Sequence, residues 1–186
     1  MNELHLFIGP MFAGKSTQLI KKLRELYESG INADRIILIN HILDNRYNDK
    51  SAISTHNGDS VESIPLSKLT DIFNNSVIDL ESKDYILIDE GQFFNDLYPT
   101  VVKLLKYGKT IYVSGLDGDY LQKPFTESGL LDLIPYSTSV MKLTARCTVC
   151  TKNAPFTKRI INSDEKILIG GANDYQPVCI NHLENI

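Results

Sequence analysis

The stretch Gly9-Pro10-Met11-Phe12-Ala13-Gly14-Lys15-Ser16 decides how this chain is read. It has the form GxxxxGK[ST], and the chemistry behind that form is specific. The glycines let the backbone wrap so that several N–H groups point inward, where phosphate oxygens can accept from them. A helix starting at about Lys15 adds the positive end of its dipole to the same hollow. The Lys15 ammonium can reach β- and γ-phosphates, and the Ser16 hydroxyl is suited to ligating Mg2+.

The flanks agree with this reading. Leu4 to Ile8 is a short apolar run that reads as a buried strand leading into Gly9. After Ser16 an amphipathic helix is expected, with Leu19, Leu23, Leu26 and Tyr27 on one face and Gly30 as its stop. Arg35 to Asn40 reads as the next strand, giving a βαβ unit and parallel pairing. His41 to Ser60 is polar and rich in Asn, Asp, Ser and Gly, and reads as a mobile loop. A short helix is expected over Ser67 to Asn75, strands over Tyr85 to Asp89, Thr110 to Ser114 and Val140 to Leu143, and a helix over Leu97 to Tyr107. Buried strands alternating with helices predict an α/β fold, a doubly wound, mainly parallel sheet of the P-loop NTPase type. The sequence has no internal repeat and no low-complexity segment. From about Thr144 the periodicity fades, cysteines appear and short strand-like pieces follow, PFTKRII and KILIG. The expected division is a kinase-type domain over 1–144 and a small zinc-ribbon and lid domain over 145–186.

A phosphate cradle needs an acid to orient its metal. In this fold class that acid belongs at the carboxyl end of a buried strand. Asp89 stands there, and Glu90 follows at once. Adjacent residues at a strand end project differently, so Asp89 can hold hydrated Mg2+ while Glu90 faces an acceptor and takes its proton. An acidic turn such as DEG is also common on surfaces, and the pair takes its meaning from the cradle upstream.

GPMFAGKST at Gly9 to Thr17, DEGQFF at Asp89 to Phe94 and LDGDYLQKPF at Leu116 to Phe125 together resemble the type II thymidine kinases. A terminal CxxC with a later CxxH completes the set, and the resemblance runs in order over nearly the whole chain. It implies transfer of the ATP γ-phosphate to the 5′-hydroxyl of thymidine or deoxyuridine, with Glu90 as base. It also implies an ATP site of Gly9, Pro10, Met11, Phe12, Ala13, Gly14, Lys15, Ser16 and Thr17, with Asp89 and Gln92. Asp44 and Arg46 look like the family's acid and arginine near the phosphates and acceptor, where an arginine stabilises the transferring charge. Met11, Phe93, Leu116, Tyr120, Phe125 and Thr157 resemble the walls of the thymine pocket. A late loop carrying Leu168, Ile169, Gly170, Gly171 and Tyr175 resembles the lasso whose backbone binds the base. Where the family carries an acid two residues before that tyrosine, this chain has Asn173, with Asp174 next to Tyr175. The change puts the anchoring of the loop in question. The resemblance further implies a homotetramer and dTTP as a feedback inhibitor.

Cys147-x-x-Cys150 and Cys179-x-x-His182 supply four ligands in two knuckles, a spacing that lets each pair reach one tetrahedral ion. A closed set of four predicts a structural zinc, stapling a tail too short to build a large core. His5, His41 and His56 stand in no comparable constellation.

The rest of the composition narrows the function classes. The chain has 186 residues, 42% hydrophobic and 23% charged, with a net charge of −4 and a pI near 5.5. Three cysteines, two of them in one CxxC, favour metal over disulfide in a chain whose first residues do not read as an export signal, and so predict a cytoplasmic protein. No apolar run approaches the ~20 residues of a membrane span. The competing reading is a nucleic-acid-binding ATPase gripping DNA or RNA with its ribbon. The acidic balance and the scarcity of cations after Cys150 (Lys152, Lys158, Arg159 and Lys166) speak against it, so neither nucleic acid nor membrane is expected as a partner.

Overall fold

The computed structural model describes residues 2–43, 52–54, 60–162 and 170–183. Its strands are β1 (Leu4–Gly9), β2 (Ile36–His41), β3 (Ala52–Ser54), β4 (Ser60–Glu62), β5 (Ile64–Leu66), β6 (Tyr85–Ile88), β7 (Thr110–Leu116), β8 (Ser139–Lys142), β9 (Ala145–Arg146), β10 (Asn153–Ala154), β11 (Phe156–Arg159) and β12 (Tyr175–Val178). Its α-helices are α1 (Lys15–Glu28) and α2 (Leu97–Lys106). Six strands form one sheet in the order β5-β2-β6-β7-β1-β8, and each neighbouring pair is parallel.

The apolar runs of the strands divide between two faces. Leu4, Leu6 and Ile8 of β1, Ile37 and Ile39 of β2, Ile86 and Ile88 of β6, and Ile111 and Val113 of β7 join one cluster, which α2 covers with Leu97, Val101 and Leu104. The alternate residues Phe7, Ile36, Leu38, Leu87 and Tyr112 join a second cluster under Leu19, Ile20, Leu23 and Leu26 of α1. A strand buried on both faces has no polar alternation, which is why these segments read as continuous apolar runs.

The structure corrects the expected elements in four places. Ala52–Ser54, inside the stretch read as a mobile loop, pairs antiparallel with Ser60–Glu62 at its end, and Ile53 is 1% exposed under the α1 side of the sheet. Three-residue strands are too short to set up a readable period. β5 adds a further parallel edge beside β2. The expected short helix is a 3-10 turn, Leu69–Phe73. Tyr27, in the last turn of α1, is 46% exposed while Ile20 is buried; an amphipathic ring at a helix end can keep its hydroxyl wet.

The C-terminal part builds two small antiparallel ladders, β9 with β10 and β11 with β12. Ala145, Cys147, Ala154, Val178 and Cys179 form a cluster of their own, packed against Phe12 and Ala13 of the β1–α1 loop. The KILIG segment lies almost wholly outside the described residues.

Candidate active site

β1, β2, β6 and β7 end on the same edge of the sheet, and the candidate residues of the first half of the chain follow those ends. Two glycines shape the β1–α1 loop. A Cβ on Gly9 would stand 2.5 Å from the Leu143 carbonyl oxygen, so the loop leaves the sheet where only glycine fits. Gly14, at φ 81°, takes the left-handed conformation that turns the chain into α1. The first turn of α1 carries neither a side-chain cap nor an acid. Lys15 is 7% exposed, with Nζ donating to the Pro10 carbonyl at 2.8 Å.

Asp89 and Glu90 follow β6. The Ser16 hydroxyl donates to Asp89 Oδ1 at 3.1 Å, and Ser114 of β7 donates to the same oxygen. Glu90, 4% exposed, has φ 53° and ψ 43°, a left-handed backbone uncommon outside glycine. Gln92 Nε2 donates to Glu90 Oε2 at 2.5 Å, and Gln92 Oε1 accepts from the Leu116 N–H at 2.9 Å. Gly91 is required by packing, since a Cβ there would lie 2.8 Å from Val113 Cγ1. At the end of β2, His41 Nδ1 accepts from the Leu43 N–H at 3.1 Å, which leaves the proton on Nε2 to donate to the Ser67 carbonyl at 3.2 Å. Its ring meets Phe94 edge-on at 4.7 Å and Phe93 at 5.9 Å. No local pattern signals that packing role, because it depends on side chains brought together from two strand ends.

The C-terminal strands close over this edge. Thr157 Oγ1, on β11, accepts from the Met11 N–H at 2.9 Å and is 4% exposed. A cavity of about 250 Å³ opens beside this contact, lined by Pro10, Asp117, Asp119, Gln122, Lys142 and Thr157 among others. The Arg159 guanidinium stacks 3.7 Å over the Tyr120 ring and donates to the Tyr175 hydroxyl at 3.0 Å. In the sequence Arg159 is one of several cations after Cys150, with no spacing that marks it out. Leu116, Phe93 and Phe125 are half-buried. Next to Asn173, the Asp174 carboxylate accepts from the Gly171 N–H at 3.0 Å and fills the space a Cβ on Gly170 would need. Asp44, Arg46, Leu168 and Ile169 lie outside the described residues.

The four knuckle residues also converge. Cys179 Sγ lies 3.2 Å from His182 Nδ1, Cys147 Sγ 3.6 Å from the same nitrogen and Cys150 Sγ 3.6 Å from Cys179 Sγ. All four ligand atoms fall within 4.8 Å of one another, and the three cysteines are free thiols. A tetrahedron with bonds of about 2.3 Å to sulfur and about 2.0 Å to nitrogen has edges of roughly 3.5 to 3.8 Å, so the set fits a metal ion of that kind. Burial pushes the Cys147 thiol up, but hydrogen bonds from the backbone of Cys179, Val149 and Cys150 outweigh it and bring the thiol down to about 6, toward the thiolate a metal requires.

The thymidine kinase family model matches residues 2–183. The chain belongs to the thymidine kinase family. Among relatives, a thymidine kinase of Oryza sativa subsp. japonica is 41% identical over 182 residues, 97% of this chain and 65% of the rice protein. That of Yaba monkey tumor virus (strain VR587) is 40% identical over 176 residues, 95% of this chain and 91% of the viral one. That of Vaccinia virus (strain Western Reserve) is 40% identical over 177 residues, 95% and 94% of the two chains. This chain thus spans just under two thirds of the rice protein and nearly all of the viral ones. Among the described residues of this family member, no helix is long and apolar enough to cross a membrane.

Proposed function

We propose that this protein is an ATP-dependent kinase that phosphorylates the 5′-hydroxyl of thymidine, and of deoxyuridine, in nucleotide salvage. The observation that carries the reading is the 3.1 Å bond between Ser16 and Asp89. It joins the loop after β1 to the acid after β6, with Glu90 as the next residue. In this reading the Gly9–Ser16 backbone and the uncapped start of α1 hold the triphosphate, and Lys15 leaves the Pro10 carbonyl to meet its outer phosphates. Ser16 and Asp89 would hold Mg2+, which neutralises charge on the phosphates when bound. Glu90 accepts the hydroxyl proton as the new O–P bond forms and ADP departs. Phosphoryl transfer asks mainly for positioning and charge compensation, which these groups supply.

Met11, Phe93, Leu116, Tyr120, Phe125 and Thr157 wall the base in this proposal, with Gly170, Gly171 and Tyr175 closing over it. Asp44, Arg46, Leu168 and Ile169 keep the roles the resemblance gives them. The ion at Cys147, Cys150, Cys179 and His182 is zinc, structural because four protein ligands complete its shell. Residues 1–144 are the kinase domain and 145–186 the zinc and lid domain of a cytoplasmic homotetramer inhibited by dTTP. The exposed Val140 and Met141 on β8, the last strand of the sheet, support self-association.

The test is transfer from Mg-ATP to a panel of nucleosides. Thymidine and deoxyuridine are expected to react, and deoxycytidine and purine nucleosides to stay unphosphorylated. Glu90→Gln should bind thymidine yet lose about 10² to 10⁴ in kcat. Full turnover by that variant would remove Glu90 from the reaction.

A further inference from the structure

Gln92 is a buried polar side chain, 3% exposed, with a bond at each end of its amide. The carbonyl end accepts from the Leu116 N–H and the NH2 end donates to Glu90 Oε2. A flipped amide would set NH2 against N–H and carbonyl against carboxylate, so this orientation is fixed by its partners. The surroundings are cut to the same side chain. A Cβ on Gly115 would come within 2.6 Å of Leu130 Cδ2 and 2.9 Å of Gln92 Oε1, so β7 carries glycine where Leu130 and the amide both approach it. Glu90 holds its left-handed backbone directly beside this contact.

We infer that Gln92 is a positioning residue for the Glu90 carboxylate, aiming it at the acceptor hydroxyl and tying that aim to Leu116. The inference rests on the reading of Glu90 as base. A carboxylate on a two-carbon stem can rotate about its last bond. Pinning Oε2 to Gln92 sets the direction of Oε1, the oxygen that takes the proton. Because Gln92 is anchored on the Leu116 N–H, a shift of β7 at that point is passed on to the base.

Three variants of the full chain test this with thymidine and Mg-ATP, reading kcat, KM for both substrates, and the thermal midpoint. Gln92→Met keeps the volume and removes both bonds. Gln92→Glu keeps an acceptor for Leu116 and removes the donor to Glu90. Both are expected to lose about tenfold to a hundredfold in kcat, with KM for ATP and for thymidine within about threefold. Folded variants with wild-type kcat would overturn the positioning role, and so would a large rise in KM for ATP with kcat unchanged, which would leave Gln92 only the ATP contact that the resemblance implies. If Gln92→Met fails to fold, Gln92→Glu alone decides, because it retains the Leu116 bond. Glu90→Gln separates the two levels. Full turnover there sinks the base assignment, whereas loss of turnover there with wild-type kcat in the Gln92 variants sinks only the positioning role.

Discussion

Asp89, Glu90 and Gln92 are 1%, 4% and 3% exposed and rest on a sheet whose two faces are both packed. Cys147 and Cys179, at 2% and 6%, are as deeply buried, yet their cluster is small: Ala145, Ala154 and Val178, with half-buried Phe12, Phe156 and Leu183 against it. Both regions hold costly polar groups out of water, and they do so by different means. At the sheet edge, apolar packing fixes the backbone and the polar groups bond to one another. At the knuckles that cluster is too small to fix the segment alone, so the zinc proposed there would supply the order. The two regions meet at the Met11–Thr157 bond and at Phe12 and Ala13.

Metal removal gives the largest expected effect. A structural Zn2+ contributes on the order of 10 kcal/mol to the folding of the element it holds. Chelation, or Cys179→Ser, should therefore abolish amide-exchange protection in β9 to β12 while β1, β6 and β7 stay protected. Equal loss in β6 would show that the sheet depends on the knuckles and would break the contrast. The converse change is Phe94→Ala, at a fully buried ring packed against His41. It should cost about 3–5 kcal/mol in urea unfolding of the sheet with the metal content per chain unchanged.

These contrasts also mark how far the sequence could be read. The loop, the acid pair and both knuckles were legible because each is a local pattern whose spacing is set by its chemistry, and the main strands because double burial leaves a continuous apolar run. The β3–β4 pair was not, since Ile53 and Val61 are single apolar residues in a polar stretch and only the fold shows that Ile53 is covered. Gln92 was legible as a member of DEGQFF, but its bond to Leu116 depends on β6 lying beside β7. Arg159 between Tyr120 and Tyr175 is of the same kind, three residues from three segments with no shared spacing. The contact of Asp174 with Gly170 and the Gly171 N–H is likewise set by the turn and not by a sequence motif.

Thr157→Val probes the join between the regions. The shape is kept and the acceptor for the Met11 N–H is lost, leaving a buried donor unsatisfied at a cost of about 1–3 kcal/mol. The expected outcome is a lower thermal midpoint together with a raised KM for thymidine, since Met11 and Thr157 are proposed to share the base wall. An unchanged midpoint would mean that the packing of Phe12 and Ala13 holds the two regions together without this bond.

Asp96 gives the smallest effect and isolates the polar bonding of the sheet region from its packing. Its carboxylate accepts from the Leu69 N–H at 3.0 Å, the Thr70 N–H at 2.8 Å and the Thr70 hydroxyl at 2.7 Å, holding the start of the Leu69–Phe73 turn. Burial raises its proton affinity, but the Thr70 and Leu69 donors outweigh that and keep it below the ordinary 3.8. A carboxyl whose folded value is depressed stabilises the fold fully above its unfolded value, and that contribution is lost as the pH falls through the folded one. Asp96→Asn keeps one acceptor oxygen and loses the charge. The site is partly open to solvent, which weakens its electrostatics, so the cost at pH 7 should be about 1 kcal/mol. Urea midpoints of the two proteins should differ equally at pH 7 and pH 5 and converge below about pH 3.8, where wild-type Asp96 also takes up its proton. A difference that persists undiminished under acid conditions would show that Asp96 acts through shape alone, and that this turn, like the cluster behind β6, is held by its apolar residues Leu69 and Ile72.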